Sequence, residues 1–406
     1  MPDSATMLSQ MAAVSTHHDH KSTDDFISRD DSMSVQKLRQ SVCGIEQYPE
    51  GRLLRWLRAY NGNIQEAAQA LKNHIIFRKA WQLDELTSGC WKMPQVLDKY
   101  LGYGYCGPDK DGCPVLVSPF GTQDVEGIFK SCQSQEYIKF CLMVIEHGMQ
   151  KCEQLAARTG RPYEQMTIVF DLEHMTLEHL NCKPFAATFL TVIALFQQHY
   201  PFLLKKALLI NAPSMAQYTY KVLMPFLAEE TQEIVEIAGD EWLPVVSQYI
   251  PMESWPAALG GRLECQERCN HFPQRTTAEK DVRVPETYYV DWSTQPEDFQ
   301  DQITVYPGNK HLIEIDVDAP GQQLMWTYAT LSEDVGFAVY YDSRGQGGTV
   351  DEMTPVYPNI RLECSVVPVS GSIVCESAGR YVIEFDNSYS WFSAKELRYS
   401  IDLIEV

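Results

Sequence analysis

Few groups of residues in this chain have the types and spacing that chemistry needs, and each reads more simply as structure. Gly102, Gly104 and Gly107 spell G-x-G-x-x-G, a pattern that brings backbone up to a pyrophosphate only when it sits between a strand and a helix. Here it leads into Pro108 and a DKDG turn ahead of an apolar, strand-length run. Cys152 and Arg158 have the C-x5-R spacing of a phosphatase loop, but KCEQLAAR contains no glycine and reads as helix, with Cys152 a buried thiol. Cys265, Cys269 and His271 offer part of a zinc site without a close fourth ligand. His17, His18 and His20 fall in a polar tail, and Asp109 and Asp111 lack the further ligands of a calcium loop. No Ser, His and Asp set is marked as a triad. The expectation is a non-enzymatic protein with no metal and no cofactor.

The informative stretch is Tyr200 to Ile234, YPFLLKKALLINAPSMAQYTYKVLMPFLAEETQEI. It reads as a strand, a turn and an amphipathic helix, with Met215, Tyr218 and Val222 on one helical face and Pro225 forcing a break. Phe226 and Leu227 continue the apolar surface. Periodicity alone also allows an ordinary core helix packed on a sheet.

The elements that must position this segment are legible in outline. Residues 1–32 are polar and without apolar period, a flexible tail. From 33 to 80 the pattern is helical, with Leu53, Trp56, Leu57 and Tyr60, then Ala67, Leu71 and Ile75, at three- and four-residue spacing, broken at Asn61 to Asn63. Between 81 and 262, strand-length runs at Val115–Val117, Met166–Leu172 and Lys206–Ala212 alternate with helix-length segments, which predicts an α/β layer with a mainly parallel sheet. Residues 263–284 lose periodicity and gain charge, as a linker does. After Pro285 short alternating runs such as Ile313, Ile315 and Val317 are punctuated by turns, which predicts an antiparallel β-sandwich over 285–406.

Composition bounds the rest. No run approaches the roughly 18 apolar residues of a spanning helix, and the first twenty residues lack the plan of a signal peptide, so the expected compartment is the cytoplasm. Twelve scattered cysteines suit free thiols in a reducing compartment. The net charge of −21 argues against nucleic acid as a partner, and residues 285–406 hold 20 acidic against 6 basic side chains, too acidic to grip anionic membranes by charge.

Several motifs in order, RLLRWLRAY with IIFRKAW, DKDGCPV, MTIVFDLEHMT, the NAP after KKALLI, MPFLAEET and ALGG, resemble the CRAL-TRIO lipid-transfer family. The C-terminal third, in DVGFAVYYD, EMTPVYPN and YVIEFDNSYSWFSAKEL, resembles a GOLD domain. The resemblance implies an N-terminal helical bundle, a lipid-binding α/β domain whose sheet floors an apolar cavity closed by a movable gate helix, here Ser214 to Leu227, and a GOLD β-sandwich. A lid has a physical reason. Moving an acyl chain into water costs about 0.8 kcal/mol per methylene, on the order of 12 kcal/mol for about sixteen carbons.

Expected lining residues are Val115, Val117, Ile168, Phe170, Leu208 and Ile210 on the strands and Tyr218, Val222, Leu223, Phe226 and Leu227 on the gate. Tyr105 and Thr176 match polar positions that meet a ligand headgroup in some members. Members that bind phosphoinositides carry charged side chains where this chain has Tyr60, Asn61, Phe202 and Ile234. The implied ligand is therefore a neutral or zwitterionic lipid or an isoprenoid. Implied partners are this lipid, a membrane surface touched transiently, and a protein docked by the GOLD domain, for which Tyr389, Trp391 and Phe392 are the aromatic candidates. The family also implies Golgi or other membranes as places of peripheral attachment. The competing expectation is a signalling adaptor for a small-GTPase or Golgi trafficking pathway whose cavity transports nothing.

Overall fold

The computed structural model describes residues 29–160, 164–264, 283–291, 299–345 and 348–405. The candidate ligands Cys265, Cys269 and His271, the three tail histidines and most of the predicted linker lie outside these residues.

Three helices open the described chain: α1 (Arg29–Ser41), α2 (Glu50–Ala59) and α3 (Ile64–Ala80). The first begins inside the segment read as tail, because Asp30 and Asp31 place negative charge in its first turn, where the helix dipole favours it. The break at Asn61 to Asn63 is a turn in which Asn61 and Gly62 take positive φ, and the Asn63 side chain caps α3 by accepting from the Gln65 and Glu66 amides. Val35, Leu38, Leu53, Trp56, Leu57 and Leu71 close a core of their own between these helices.

Two short helices, α4 (Leu83–Ser88) and α5 (Gln95–Tyr100), lead into a five-stranded sheet. Its strands are β1 (Gly104–Tyr105), β2 (Val115–Ser118), β3 (Met166–Asp171), β4 (Leu204–Ile210) and β5 (Val235–Ile237), adjacent in that order. Only the β1–β2 pair is antiparallel. Crossover segments carry α6 (Val125–Ser131), the long α7 (Ser134–Thr159), α8 (Leu177–Asn181), α9 (Lys183–His199), α10 (Ser214–Leu223) and α11 (Glu229–Ile234), and α12 (Leu243–Tyr249) follows the last strand.

The C-terminal region is two four-stranded antiparallel sheets. One is ordered β10 (Thr354–Glu363), β9 (Asp334–Asp342), β12 (Gly379–Asp386), β7 (Lys310–Val317) and the other β11 (Val369–Val374), β8 (Gln323–Thr330), β13 (Lys395–Ile404), β6 (Asp301–Val305). Trp326 and Tyr328 of one sheet meet Phe337 of the other, ring centres 4.9 Å apart in both pairs, so the sheets pack face to face around aromatics. The sandwich sits on the α/β unit through β10 and its neighbours. Trp81 stacks on Tyr357, Ser134 Oγ donates to Glu363 O at 2.6 Å, and Thr191 Oγ1 donates to Arg361 O at 3.2 Å.

Candidate functional site

The two faces of the five-stranded sheet are both apolar, yet they are covered very differently. On one face Val115, Val117, Val169, Leu208 and Ile210 pack against Val246, Ile250 and Trp255, all at most 1% exposed. This is a sealed core, pinned by the indole of Trp255 donating to Leu259 O at 2.9 Å. On the other face the register brings Leu116, Ile168 and Ala207 into one row and Phe170 and Leu209 into the next. Ile168 and Leu116 are buried under the helical layer, but Phe170, Leu209, Met175, Phe189, Val192 and Phe196 remain half-buried. Phe120 bridges this surface, its ring centre 5.8 Å from Phe170 and 5.5 Å from Phe189.

The expected strand lining therefore divides. Ile168 and Phe170 share the face that looks toward α9, whereas Val115, Val117, Leu208 and Ile210 belong to the sealed face and cannot line the same surface. The physical reason is the period of two: residues one apart point to opposite faces, and a strand buried on both sides carries apolar residues throughout.

The gate segment leaves β4 at Asn211, which holds a φ of 50° and donates from Nδ2 to Asp171 Oδ1 at 2.9 Å. Pro213 then precedes α10. A single amide on α9 holds the far end: Gln197 Nε2 donates to Phe226 O at 3.1 Å and its Oε1 accepts from the Ala228 amide at 2.6 Å. Gln232 adds bonds from Nε2 to Met224 O and Leu227 O, at 3.1 and 2.9 Å. Within the segment Ala216 is buried and Leu223, Phe226 and Leu227 are half-buried. Tyr218 is 71% and Val222 42% exposed, so these two sit on the outer face and do not line an enclosed space here. The helix carries apolar residues on both sides, so hydrophobic spacing alone does not distinguish its outer stripe from its inner one.

The polar candidates are occupied locally. Tyr105 Oη donates to Val144 O of α7 at 2.7 Å, and burial pushes its phenol well above the usual range. Thr176 is the N-cap of α8, with its amide donating to His179 Nδ1 at 3.2 Å in a capping box. The motifs set aside above are structural. Asp109 Oδ1 accepts from the amides of Asp111 and Cys113, and its Oδ2 accepts from Thr167 Oγ1 and Lys205 Nζ. Gly107 lies where a Cβ would come within 2.6 Å of Ser254 Cβ, and a strand follows it. Cys152 is buried in α7, its thiol pushed up to about 12 by desolvation.

Gln197, Leu116, Leu209, Phe120, Phe189 and Phe196 belong to the gate-facing surface and were not singled out from sequence. The aromatic residues of KPFAATFLTVIALFQQH carry a helical period, but α9 has two stripes, one half-buried through Phe189 and Phe196 and one fully buried and partly polar through Phe185, Thr188, Thr191 and Leu195. A separate cleft of about 270 Å³ is lined by Leu86, Trp91, Met93, Tyr103, Phe140 and His147. It shares no residue with the gate and falls below the roughly 300–1,000 Å³ of ordinary ligand pockets. Among the described residues no helix is long and apolar enough to cross a membrane, and no cluster of His, Cys, Asp and Glu could hold a metal ion.

A family comparison agrees with the α/β part of this architecture. The family model described as CRAL/TRIO domain matches residues 98–261, the span of the five-stranded sheet and its helices. Protein ctg-1 of Caenorhabditis elegans is 42% identical over 380 residues, covering 92% of this chain and 96% of that protein. Protein real-time of Aedes aegypti is 26% identical over 353 residues, covering 82% of this chain and 54% of that longer protein. Among solved structures, the crystal structure of Sfh5 is similar at a TM-score of 0.45 and 17% identity, over 59% of this chain and 90% of that one. A domain match across the whole α/β unit and a relative aligned over nearly its full length establish that the chain belongs to the CRAL/TRIO domain family.

Proposed function

We propose that the protein is a carrier or presenter of a hydrophobic lipid, held between the half-buried face of the sheet and the gate segment Ser214 to Leu227. Proteins of this family are typically non-catalytic lipid carriers, and the role proposed is not enzymatic. The observation that carries the reading is the contrast in cover. One face of the sheet is closed to within 1% exposure, while Phe170, Leu209, Phe189, Val192 and Phe196 on the other stay half-buried, on the side where Gln197 of α9 ties the gate segment down by two hydrogen bonds. Ile168, Phe170, Leu223, Phe226 and Leu227 are proposed to line the ligand. Tyr105 and Thr176 are proposed to meet it only at its edge, since their polar atoms already serve α7 and α8.

The ligand proposed is neutral or zwitterionic, or an isoprenoid, because Tyr60, Asn61 and Ile234 supply no positive charge to neutralise an inositol phosphate and Phe202 lacks the carboxylate that phosphoinositide-binding members carry there. The C-terminal sandwich is read as a GOLD-type docking module, a domain order that resembles supernatant protein factor. A cytoplasmic protein that touches membranes transiently, the Golgi among them, is the setting that suits such a carrier.

The test is mass spectrometry of the organic extract of full-length protein purified from eukaryotic cytosol, beside Leu209→Trp. A stoichiometric lipid in the wild type that Leu209→Trp loses supports the reading. No extractable lipid, together with no lipid transfer between vesicles, sinks it.

A further inference from the structure

Two loops at one end of the sandwich are tied together by one buried side chain. Asn387 is fully buried, and its Nδ2 donates to Val305 O and to Ser393 O, both at 2.9 Å. Its backbone exchanges bonds with the facing turn, Gly308 N to Asn387 O and Asn387 N to Asn309 O, both at 3.0 Å. This draws the turn Tyr306 to Asn309 and the loop Asn387 to Ala394 into a single rigid tip.

Of the aromatics in the loop, Tyr389 turns inward. Its hydroxyl donates to Asp334 O at 2.9 Å and its ring lies 3.7 Å from the Arg361 guanidinium. Trp391 and Phe392 turn outward at 65% and 83% exposure, and Tyr306 on the facing turn is 63% exposed. Exposed aromatic side chains on a fixed backbone have little ordering entropy left to lose on docking.

Charge decides what they dock to. Neither 306–309 nor 387–394 contains a charged side chain, in a domain that carries 20 acidic against 6 basic residues. The acidic remainder repels anionic lipid, and the tip offers nothing to pair with a charged protein surface. Trp, Tyr and Phe are also the residues that settle at the boundary between headgroups and acyl chains.

We infer that the tip formed by Tyr306, Trp391 and Phe392 is an uncharged aromatic anchor that inserts into a zwitterionic phospholipid surface. The inference rests on the reading of the sandwich as a docking module and names what it docks to. The anchor holds the carrier at the membrane by partitioning, without counter-ion pairing, so its affinity is insensitive to salt.

The experiment uses the full chain with sucrose-loaded phosphatidylcholine vesicles. Sedimentation of the wild type is expected to change little between low and high salt, and Trp391→Ser/Phe392→Ser to lower the partition coefficient at least about tenfold. Phosphatidylcholine brominated on its acyl chains is expected to quench a component of the emission that Trp391→Phe removes. A double variant that sediments like wild type overturns the proposal, as does binding that needs anionic lipid, or quenching indifferent to Trp391→Phe. Thermal unfolding of the double variant is expected to match wild type, since both side chains are mostly exposed. Organic extraction of the same samples reads the carrier role separately: an extract without lipid sinks that role and leaves the vesicle result to decide the anchor.

Discussion

The two faces of the five-stranded sheet are built from the same residue types and do opposite things. Val117 and Leu116 are neighbours in β2, yet Val117 joins a core that Trp255 and α12 seal, and Leu116 joins the cluster on the opposite face with residues of α7 and α9. Apolarity is therefore not what distinguishes the proposed binding surface from the core in this protein. The cover is. A face topped by Trp255, itself wholly buried, has no conformation in which it opens without losing packing. The proposed gate, which leaves the sheet at Asn211 and is held through Gln197, would open at the cost of a few hydrogen bonds, the burial of Ala216 and the partial burial of Leu223, Phe226 and Leu227.

The largest effect should come from breaking the sealed face. Trp255→Ala removes the side chain over Val115, Val117, Leu208 and Ile210 and is expected to cost about 3–5 kcal/mol in urea unfolding. If that face were the lipid surface, the loss in the variant would shrink when lipid is present. The expectation is equal loss with and without lipid.

Acid tests which face is rooted more securely. His199 ends α9, the helix that also carries Phe189, Phe196 and Gln197, and it stacks on Phe77 at 3.9 Å beside the buried His74. Burial holds His199 at about 3 and His74 well below its ordinary value, so both are neutral when folded. A depressed histidine gives its full stability above the unfolded value near 6.5 and loses it as pH falls toward the folded one. Each costs up to about 1.4 kcal/mol per pH unit in that window. Stability is thus expected to decline from about pH 6.5 toward pH 3, and His199→Phe to flatten the profile. An unaltered slope in that variant removes His199 from the account.

Next in size is the gate face itself. Leu209→Trp places bulk where Leu209 is half-buried and is expected to cost no more than about 1 kcal/mol of stability, at the low end for overpacking. Lipid occupancy should fall at least about tenfold. Val117→Trp, on the sealed face, should do the reverse, lowering stability more than it alters occupancy per folded molecule.

How far the sequence carries depends on whether a pattern has one reading or two. The break between α2 and α3 was legible because Asn61, Gly62 and Asn63 do one thing there, and the antiparallel sheets because strands such as β7 and β8 alternate between more and less buried positions. The mainly parallel sheet followed from alternating helical and strand-length runs. The lining was only half legible, since β2, β3 and β4 are apolar on both faces and offer no cue to which faces the gate. α10 posed the same problem: Tyr218 and Val222 make as good an apolar stripe as Ala216 and Leu223, and only tertiary packing, which buries Ala216 and leaves Tyr218 exposed, decides between them. Gln197 was invisible because a glutamine near the end of an apolar helix has no periodic signature, and its role comes from meeting Phe226 and Ala228 far along the chain.

That glutamine gives the smallest and most discriminating change. Gln197→Ala deletes both bonds to the gate and leaves the amide of exposed Ala228 to water and the carbonyl of half-buried Phe226 without this donor. A net hydrogen bond is worth about 0.5–1.5 kcal/mol, so the closed gate should lose roughly 1–2 kcal/mol relative to the open one. Because the bonds tie two elements already folded, the midpoint of global unfolding should barely move. Lipid exchange between vesicles should instead speed up about tenfold, if opening limits release. Equal exchange rates would place the slow step elsewhere, in the partitioning of lipid out of the half-buried face, and the difference between the two faces would then lie in their packing and not in the hinge.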